Sequence, residues 1–184
     1  MAVTIKQAEA IPATYPDSPE GLSADAAALD AAMIWQRIEA WIAHRWTARA
    51  VVWTVEGPGE WVPPLTPATV QTVEAWQADA WVEVFPPPSP LGGYVLACDV
   101  PYRITATVGS GTPPAAVLEA FRRLAEYMAE DVKPSMRMGR AGVSSMSYSI
   151  GSAIDVKFDR NPAWMARALV NSGAGDLLRP YRRA

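Results

Sequence analysis

The stretch TVQTVEAWQADAWVEVF, residues 69–85, carries the clearest fold signal in the chain. β-Branched and aromatic residues dominate its two arms, 69–76 and 80–85, and such side chains favour β-strands. Three residues, 77–79, separate the arms, which is a length typical of the turn in a hairpin. The stretch therefore predicts two antiparallel strands joined by a tight turn.

Further β-rich stretches flank this hairpin on both sides. They are residues 49–55, 94–97 and 102–108. A Gly-Pro-Gly turn at 57–59 closes the first of them, and the proline-rich segment 86–90 is a stiff, extended connector. We expect these stretches to form a small antiparallel β-sheet.

Helical patterns lie before and after the β-rich region. Residues 24–46 contain neither Pro nor Gly, and their apolar side chains recur at steps of three and four, which predicts one long N-terminal helix. A second helix is predicted near 113–131, with proline in its first turn. A short third helix is predicted to begin at Asn161-Pro162 and to end at Gly173.

The predicted fold class is α+β, a small helical bundle packed with a small antiparallel β-sheet. The predicted segments are an extended arm at 1–22, a single domain at 23–175 with a β-rich insertion at about 47–109 and a long loop at 132–160, and an exposed tail at 176–184. At most a short strand is expected inside the long loop, around Ser147–Ile150. Pro180 is expected to keep the tail from forming a helix.

Composition argues against catalysis. The 184 residues contain one histidine, His44, and one cysteine, Cys98, so a disulfide scaffold is excluded and a His/Cys metal site lacks ligands. His44 is expected late in the first helix, where a cation offsets the helix dipole. Cys98 is expected to be a small buried hydrophobe. We predict no catalytic, cofactor-binding or metal-binding residues.

One strand–loop–helix segment, Arg103–Thr112 followed by the second helix, could in principle hold a phosphate group. It lacks the lysine and the spacing of a P-loop, and Pro113 and Pro114 remove two amides that would bind the anion. A tight turn is therefore favoured over a ligand site.

The net charge of −3 is unevenly distributed. Residues 1–131 carry 7 basic and 16 acidic side chains, a net charge of −9, whereas residues 132–184 carry 9 basic and 3 acidic ones, a net charge of +6. Three interpretations are open: a solvated basic end, two ends that face different partners, or the tail of one copy in contact with the body of another. No apolar stretch is long enough to span a membrane, and residues 1–20 do not form a secretory signal.

Tryptophan is unusually dense, with seven of the eight residues inside 35–81. Most should pack the core, but the number exceeds what a small core needs, and Trp is enriched at interfaces. The residues predicted to lie at subunit contacts are Trp35, Trp53, Trp61, Tyr148 and Ile150. A base-stacking role is disfavoured because this part of the chain is acidic.

The C-terminal string DLLRPYRRA, residues 176–184, is the most distinctive short segment. It combines an apolar pair, an aromatic residue and three arginines, and Arg and Tyr are frequent anchors of protein interfaces. A frayed basic tail is the alternative.

Taken in order, several segments resemble the head–tail connector (adaptor) proteins of long-tailed bacteriophages and gene transfer agents. These segments are AAMIWQRIEAWIAHRW (31–46), ARAVVW (48–53), YRITATVG (102–109), PAAVLEAFRRLAEY (114–127), SYSIG (147–151) and LLRPYRR (177–183). The order and spacing of the segments carry the resemblance, because no single string is specific by itself.

The resemblance implies a structural protein of the virion neck, assembled in the cytoplasm of a bacterial host. Such adaptors form a ring of about twelve copies beneath the portal protein, extend the DNA channel and meet a stopper or other neck or tail protein. Double-stranded DNA passes without sequence-specific binding, and no membrane is involved. The residues expected to bind the portal are Leu177, Leu178, Arg179, Pro180, Tyr181, Arg182 and Arg183.

Three other functions stay open. The chain could be another neck protein, a stopper or a tail terminator, although those are usually richer in strands and lack two long helices. It could be a small phosphate-ligand domain that uses residues 109–112. It could also bind DNA through its basic end, with an affinity that depends strongly on salt.

Overall fold

The computed structural model of the chain describes residues 2–130, 145–150, 154–159 and 165–182. The chain forms two compact units. Residues 2–16 and 43–112 form the first unit, which is mainly β-structure. Residues 17–42 and the described residues of 113–182 form the second unit, which holds the helices.

Seven strands build the first unit. They are β1 (Val3–Glu9), β2 (Arg49–Glu56), β3 (Gly59–Trp61), β4 (Ala68–Gln77), β5 (Ala80–Glu83), β6 (Tyr94–Leu96) and β7 (Pro101–Val108). Five of them form an antiparallel sheet in the order β1-β2-β7-β4-β5, and β3 pairs with β6 in a separate two-stranded sheet. Thus β1 and β5 are the two edges of the larger sheet.

One face of the five-stranded sheet is buried and the other is solvated, as is common for antiparallel sheets. Along β2, the side chains of Val51, Trp53 and Val55 are buried, whereas their neighbours on the strand are half-buried or exposed. Alternate residues of β7 continue this core with Ile104 and Val108. Two bulges shift the register, one between Thr4 and Lys6 and one between Val70 and Thr72.

The predicted hairpin is confirmed as β4 and β5. Trp76 pairs with Trp81 across it, and Gln77 pairs with Ala80. The turn residues Ala78 and Asp79 have positive φ angles of 46° and 62°. A two-residue turn with this backbone twist matches the twist of the strands that it joins.

The second unit contains five helices and a hairpin in its described residues. They are α1 (Ala24–Ala27), α2 (Ala31–Ile42), α3 (Ala115–Ala129), β8 (Ser145–Ile150), β9 (Ile154–Asp159), α4 (Ala168–Asn171) and α5 (Ala174–Leu178), followed by a 3₁₀ turn at Arg179–Tyr181. β8 and β9 pair in antiparallel register along their whole length. Trp35 of α2 packs on Phe121 of α3, with ring centroids 5.0 Å apart.

The predicted helical bundle with a long N-terminal helix is wrong, because the helices are few and short. α1 has only four residues, and the Asp30 carboxylate accepts the amide of Ala32 at 2.9 Å, which starts α2 afresh. α2 ends at Ile42, and Ala43 has a φ of 55°, which no right-handed helix accommodates. The second predicted helix is confirmed as α3.

Both predicted ends of the chain differ from expectation. Part of the predicted N-terminal arm, Val3–Glu9, is a strand of the sheet rather than an unpacked segment. The predicted tail begins inside α5, and Pro180 lies within the 3₁₀ turn beyond that helix. The predicted loop at 132–160 contains two strands rather than at most one. The predicted start of the third helix, Asn161-Pro162, lies outside the described residues.

Candidate interaction surface

The C-terminal segment is fixed to its own unit at two points. Leu178, the last residue of α5, is 0% exposed. Four residues later, the Arg182 guanidinium carbon lies 4.8 Å from the centroid of the Trp41 ring of α2, within cation–π range. Between these points, Arg179 and Pro180 are exposed.

The residues that were predicted to bind the portal differ in how far they are exposed. Leu178 is a core side chain of the second unit, and its part in portal binding stays a prediction. Arg179, Pro180 and Arg182 are exposed, whereas Leu177 and Tyr181 are half-buried. Arg183 lies outside the described residues. The segment therefore presents two cations and a proline on an ordered scaffold.

The tryptophans that were predicted to lie at subunit contacts are core residues of their own units. Trp35 and Trp53 are 0% exposed and Trp61 is 2% exposed. The indole N–H of Trp53 donates to Gln7 Oε1, and that of Trp61 donates to Thr4 Oγ1, both at 2.9 Å. These bonds tie β1 into the first unit. The assignment of the three tryptophans to subunit contacts stays a prediction.

The other two predicted contact residues lie on β8. Tyr148 pairs with Val156 of β9, and Ile150 pairs with Ile154.

An exposed aromatic pair that the sequence reasoning did not single out lies on the solvated face of the sheet. The rings of Trp76 and Trp81 meet edge to face, with centroids 5.2 Å apart, and Trp76 is 38% exposed. The Arg103 guanidinium lies 4.8 Å from the Trp81 ring and donates two hydrogen bonds of 2.6 Å to Glu74. These bonds lower the pKa of the Glu74 carboxyl and raise that of Arg103. The hairpin register, in which Trp76 faces Trp81, was the available signal.

A second cluster missed by the sequence reasoning joins β1 to the start of β2. The Glu9 carboxylate accepts hydrogen bonds from Arg45 Nη2 at 3.0 Å and from Arg49 Nη1 at 3.3 Å. Both arginines are buried, and the Arg49 guanidinium also lies 5.4 Å from the centroid of the Tyr15 ring. The cluster fixes the N-terminal strand to the first unit. No local motif announces it, because its members are 36 and 40 positions apart.

His44 does not act as the expected helix-capping cation. It lies beyond the end of α2, in an isolated bridge with Thr66, and its ring centroid is 4.0 Å from that of Trp46. Burial, and secondarily the positive charge of Arg45, lower the pKa of His44 below its ordinary value of 6.5. The neutral imidazole is therefore the favoured form.

Cys98 is exposed, which corrects the expectation of a buried side chain. Its backbone amide donates to the hydroxyl of Tyr102 at 2.9 Å, and Tyr102 itself is buried. Burial raises the pKa of the Tyr102 phenol, so the neutral phenol is favoured.

The turn at 109–112 has its first two amides occupied. Gly109 donates to Pro67 O at 3.0 Å, and Ser110 donates to Arg45 O at 3.3 Å. Gly109 has a φ of 94°, and a Cβ there would lie 2.3 Å from Thr47 O, so the position requires glycine. These bonds support the turn interpretation and leave the phosphate-site alternative no free backbone amide from either residue.

The described residues contain neither a group of metal ligands nor a membrane-spanning helix. In residues 2–130, 145–150, 154–159 and 165–182, no three His, Cys, Asp or Glu side chains are grouped as metal ligands. Within the same residues, no helix combines the length and the apolar character of a membrane span.

Comparison of the chain with protein-family models, with curated proteins and with solved structures returned no match.

Proposed function

We propose that this chain is a head–tail connector (adaptor) protein that forms a ring of about twelve copies beneath the portal of a tailed phage or phage-like particle. In this role it extends the DNA channel, joins head to tail and catalyses no reaction. The order of its sequence segments supports the proposal. The structural observation that carries it is the C-terminal segment, where Arg179, Pro180 and Arg182 are exposed directly beyond the buried Leu178.

Anchoring matters energetically for such a contact. A free tail loses conformational entropy when it binds, at a cost of about 0.5–1.5 kcal/mol for each side chain that becomes immobilised. Leu178 and the Arg182–Trp41 contact already restrict this segment. Its arginines can therefore engage a partner surface at a lower entropic cost, and arginine is enriched among residues that dominate binding energy.

The charge distribution supports the same function. The net charge of −9 over residues 1–131 would repel the DNA backbone, so a channel lined by this part of the chain would let DNA slide. The net charge of +6 over residues 132–184 suits contact with an acidic protein surface.

The stopper and terminator alternatives need a functional test. Two long helices were the expected distinction, but α2 has 12 residues and α3 has 15, beside nine strands in the described part of the chain. Element content therefore no longer separates these neck proteins from an adaptor. The partner that the C-terminal segment binds does separate them.

The test is a binding experiment on the full chain with the portal protein of the same particle. The variant replaces Arg179 and Arg182 with glutamate, and the matched control replaces Arg167, another exposed arginine of the second unit, with glutamate. We expect the double variant to bind the portal at least about tenfold more weakly and the control to bind normally. Normal portal binding by the double variant, or binding of a tail component instead of the portal, contradicts the proposal.

Truncation needs care because of Leu178. Deleting residues 177–184 would remove a fully buried side chain and would damage the fold itself. Deleting residues 179–184 leaves α5 complete and removes only the residues beyond it. The shorter deletion is therefore the appropriate second variant, and circular dichroism should show an unchanged fold.

A further inference from the structure

The five-stranded sheet has two unpaired edges, and they are chemically different. Among the described residues, no strand pairs with the outer side of β1 or with the outer side of β5. Unpaired edges present backbone N–H and C=O groups that can hydrogen-bond to another strand. Each edge therefore offers a possible contact with a second chain.

One transverse row of side chains links the two edges. Reading across the sheet from β1 to β5, the paired residues are Lys6, Thr54, Arg103, Glu74 and Glu83. The row begins with a cation at one edge and ends with a carboxylate at the other. Lys6 and Glu83 are exposed, and the described residues offer neither of them an ion pair.

Apolar side chains accompany the charge at both edges. On β1, Val3 and Ile5 are 52% and 62% exposed. On the other side, Val82 of β5 is 43% exposed, and Phe85, just beyond the strand, is 89% exposed. Covering such side chains removes apolar area from water, which would favour association.

We propose that the β1 edge of one copy of this chain pairs with the β5 edge of a second copy, with Lys6 of the first beside Glu83 of the second. This proposal rests on the proposed function in one respect only, namely that the partner at each sheet edge is a second copy of the chain. Four antiparallel steps across the sheet give β1 and β5 the same direction, so copies placed side by side in one orientation join through a parallel pair. Because the two edges differ, the contact is head-to-tail and can close a ring.

The edges also carry features that restrict pairing to this partner. The bulge between Thr4 and Lys6 interrupts β1 near its start, and charge on each edge opposes pairing with an identical edge. Beyond the bulge, Lys6–Glu9 pairs regularly with β2 over four residues, and β5 is also four residues long. The two edges therefore match in length and complement each other in charge.

A zero-length cross-link tests the contact in the unmodified chain. Carbodiimide joins a lysine directly to a carboxylate, and the chain has three lysines, of which Lys6 alone precedes residue 132. Within one copy, Lys6 and Glu83 are four strand spacings apart, about 19 Å, which is too far for such a link. We expect a Lys6–Glu83 peptide in concentrated protein, and mixtures of light and ¹⁵N-labelled chains should show that it joins two copies. Absence of this peptide, whether the protein is monomeric or associates elsewhere, overturns the proposal.

Charge reversal provides a second measurement. Lys6→Glu alone and Glu83→Lys alone should each weaken self-association about tenfold, as followed by sedimentation. A mixture of the two variants should associate as the original protein does, because every β1–β5 contact between unlike copies is again between opposite charges. The matched control is Glu56→Lys, a change at an exposed carboxylate of the interior strand β2. Failure of the mixture to recover association also overturns the proposal.

The two proposals of function and of edge pairing fail independently. Loss of portal binding in the arginine variants with an absent Lys6–Glu83 link supports the connector and rejects this interface. A clear link in a chain that does not bind the portal supports the interface and rejects the connector.

Discussion

Replacing Leu178 with alanine shows whether this side chain anchors the C-terminal segment or contacts the portal directly. The leucine side chain is 0% exposed at the end of α5, so the substitution leaves a cavity that short helices around it can close only in part. Leu→Ala changes at such sites cost about 2–5 kcal/mol, and we expect about 3 kcal/mol here. For a chain of this size, that loss lowers the melting temperature by about 6–12 °C.

The assay is urea unfolding followed by circular dichroism at 222 nm, which reports on the helices of the second unit. Leu177→Ala is the matched control, because Leu177 is half-buried, and it should cost about 1 kcal/mol. At a temperature well below its melting point, the folded Leu178→Ala protein should bind the portal less than about tenfold more weakly, because the Arg182–Trp41 contact still restricts the segment. A Leu178→Ala variant of unchanged stability that no longer binds the portal would refute the reasoning, because Leu178 would then be a contact residue.

Three further predictions concern the first unit. Gly109→Ala should lower the free energy of unfolding in urea by about 3 kcal/mol, since its Cβ would meet a backbone carbonyl at 2.3 Å. Gly111→Ala has open space around it and should lower this free energy by only about 1 kcal/mol. Equal losses in the two variants would contradict this expectation. Glu9→Gln should lower the free energy of unfolding by about 3 kcal/mol, because it removes the charge that faces two buried arginines. Its control, Glu56→Gln at an exposed carboxylate, should lower it by less than about 0.5 kcal/mol. Similar values for both variants would reject a structural role for the cluster. Because the pKa of His44 is lowered in the folded state, the unfolded state binds more protons below about pH 6.5. The free energy of unfolding should therefore decrease as the pH falls through that range, and His44→Gln should flatten this dependence. An unchanged pH profile in the variant would contradict the lowered pKa.

The elements that the sequence predicted correctly are those defined by local patterns. The β4–β5 hairpin follows from β-rich arms on either side of a short turn, and its pairing of Trp76 with Trp81 is a contact over five positions. α3 likewise follows from its apolar spacing and the prolines before it. Both depend on residues close together in the chain, where pattern and backbone preference act directly.

The prediction of one long N-terminal helix was wrong for a reason that apolar spacing does not reveal. The spacing continues through Asp30, but the Asp30 side chain accepts a backbone amide and starts a new helix there. At the other end, Ala43 has a positive φ, and its carbonyl accepts a hydrogen bond from the amide of Thr66 at 3.0 Å. A local side-chain cap therefore interrupts the helix at Asp30, whereas a contact with a residue distant in the chain, Thr66, accompanies its end at Ala43.

The candidate site shows the same division. The clustered tryptophans predicted core positions for most of these residues and interface positions for some, and Trp35, Trp53 and Trp61 are all buried in the core. The cross-sheet row from Lys6 to Glu83 spans five strands that are far apart in the chain, so no motif contains it. The distinctive C-terminal string was visible in the sequence, but only the structure divides it into the buried Leu178 and the exposed residues beyond it.

The proposed function makes this chain a structural component of the particle neck. The most direct measurement is electron microscopy of assembled particles in which this chain carries a visible label. We expect one ring of label at the junction of head and tail, directly beneath the portal. Label on the capsid shell, along the tail or at its tip, or particles without the label, would contradict it.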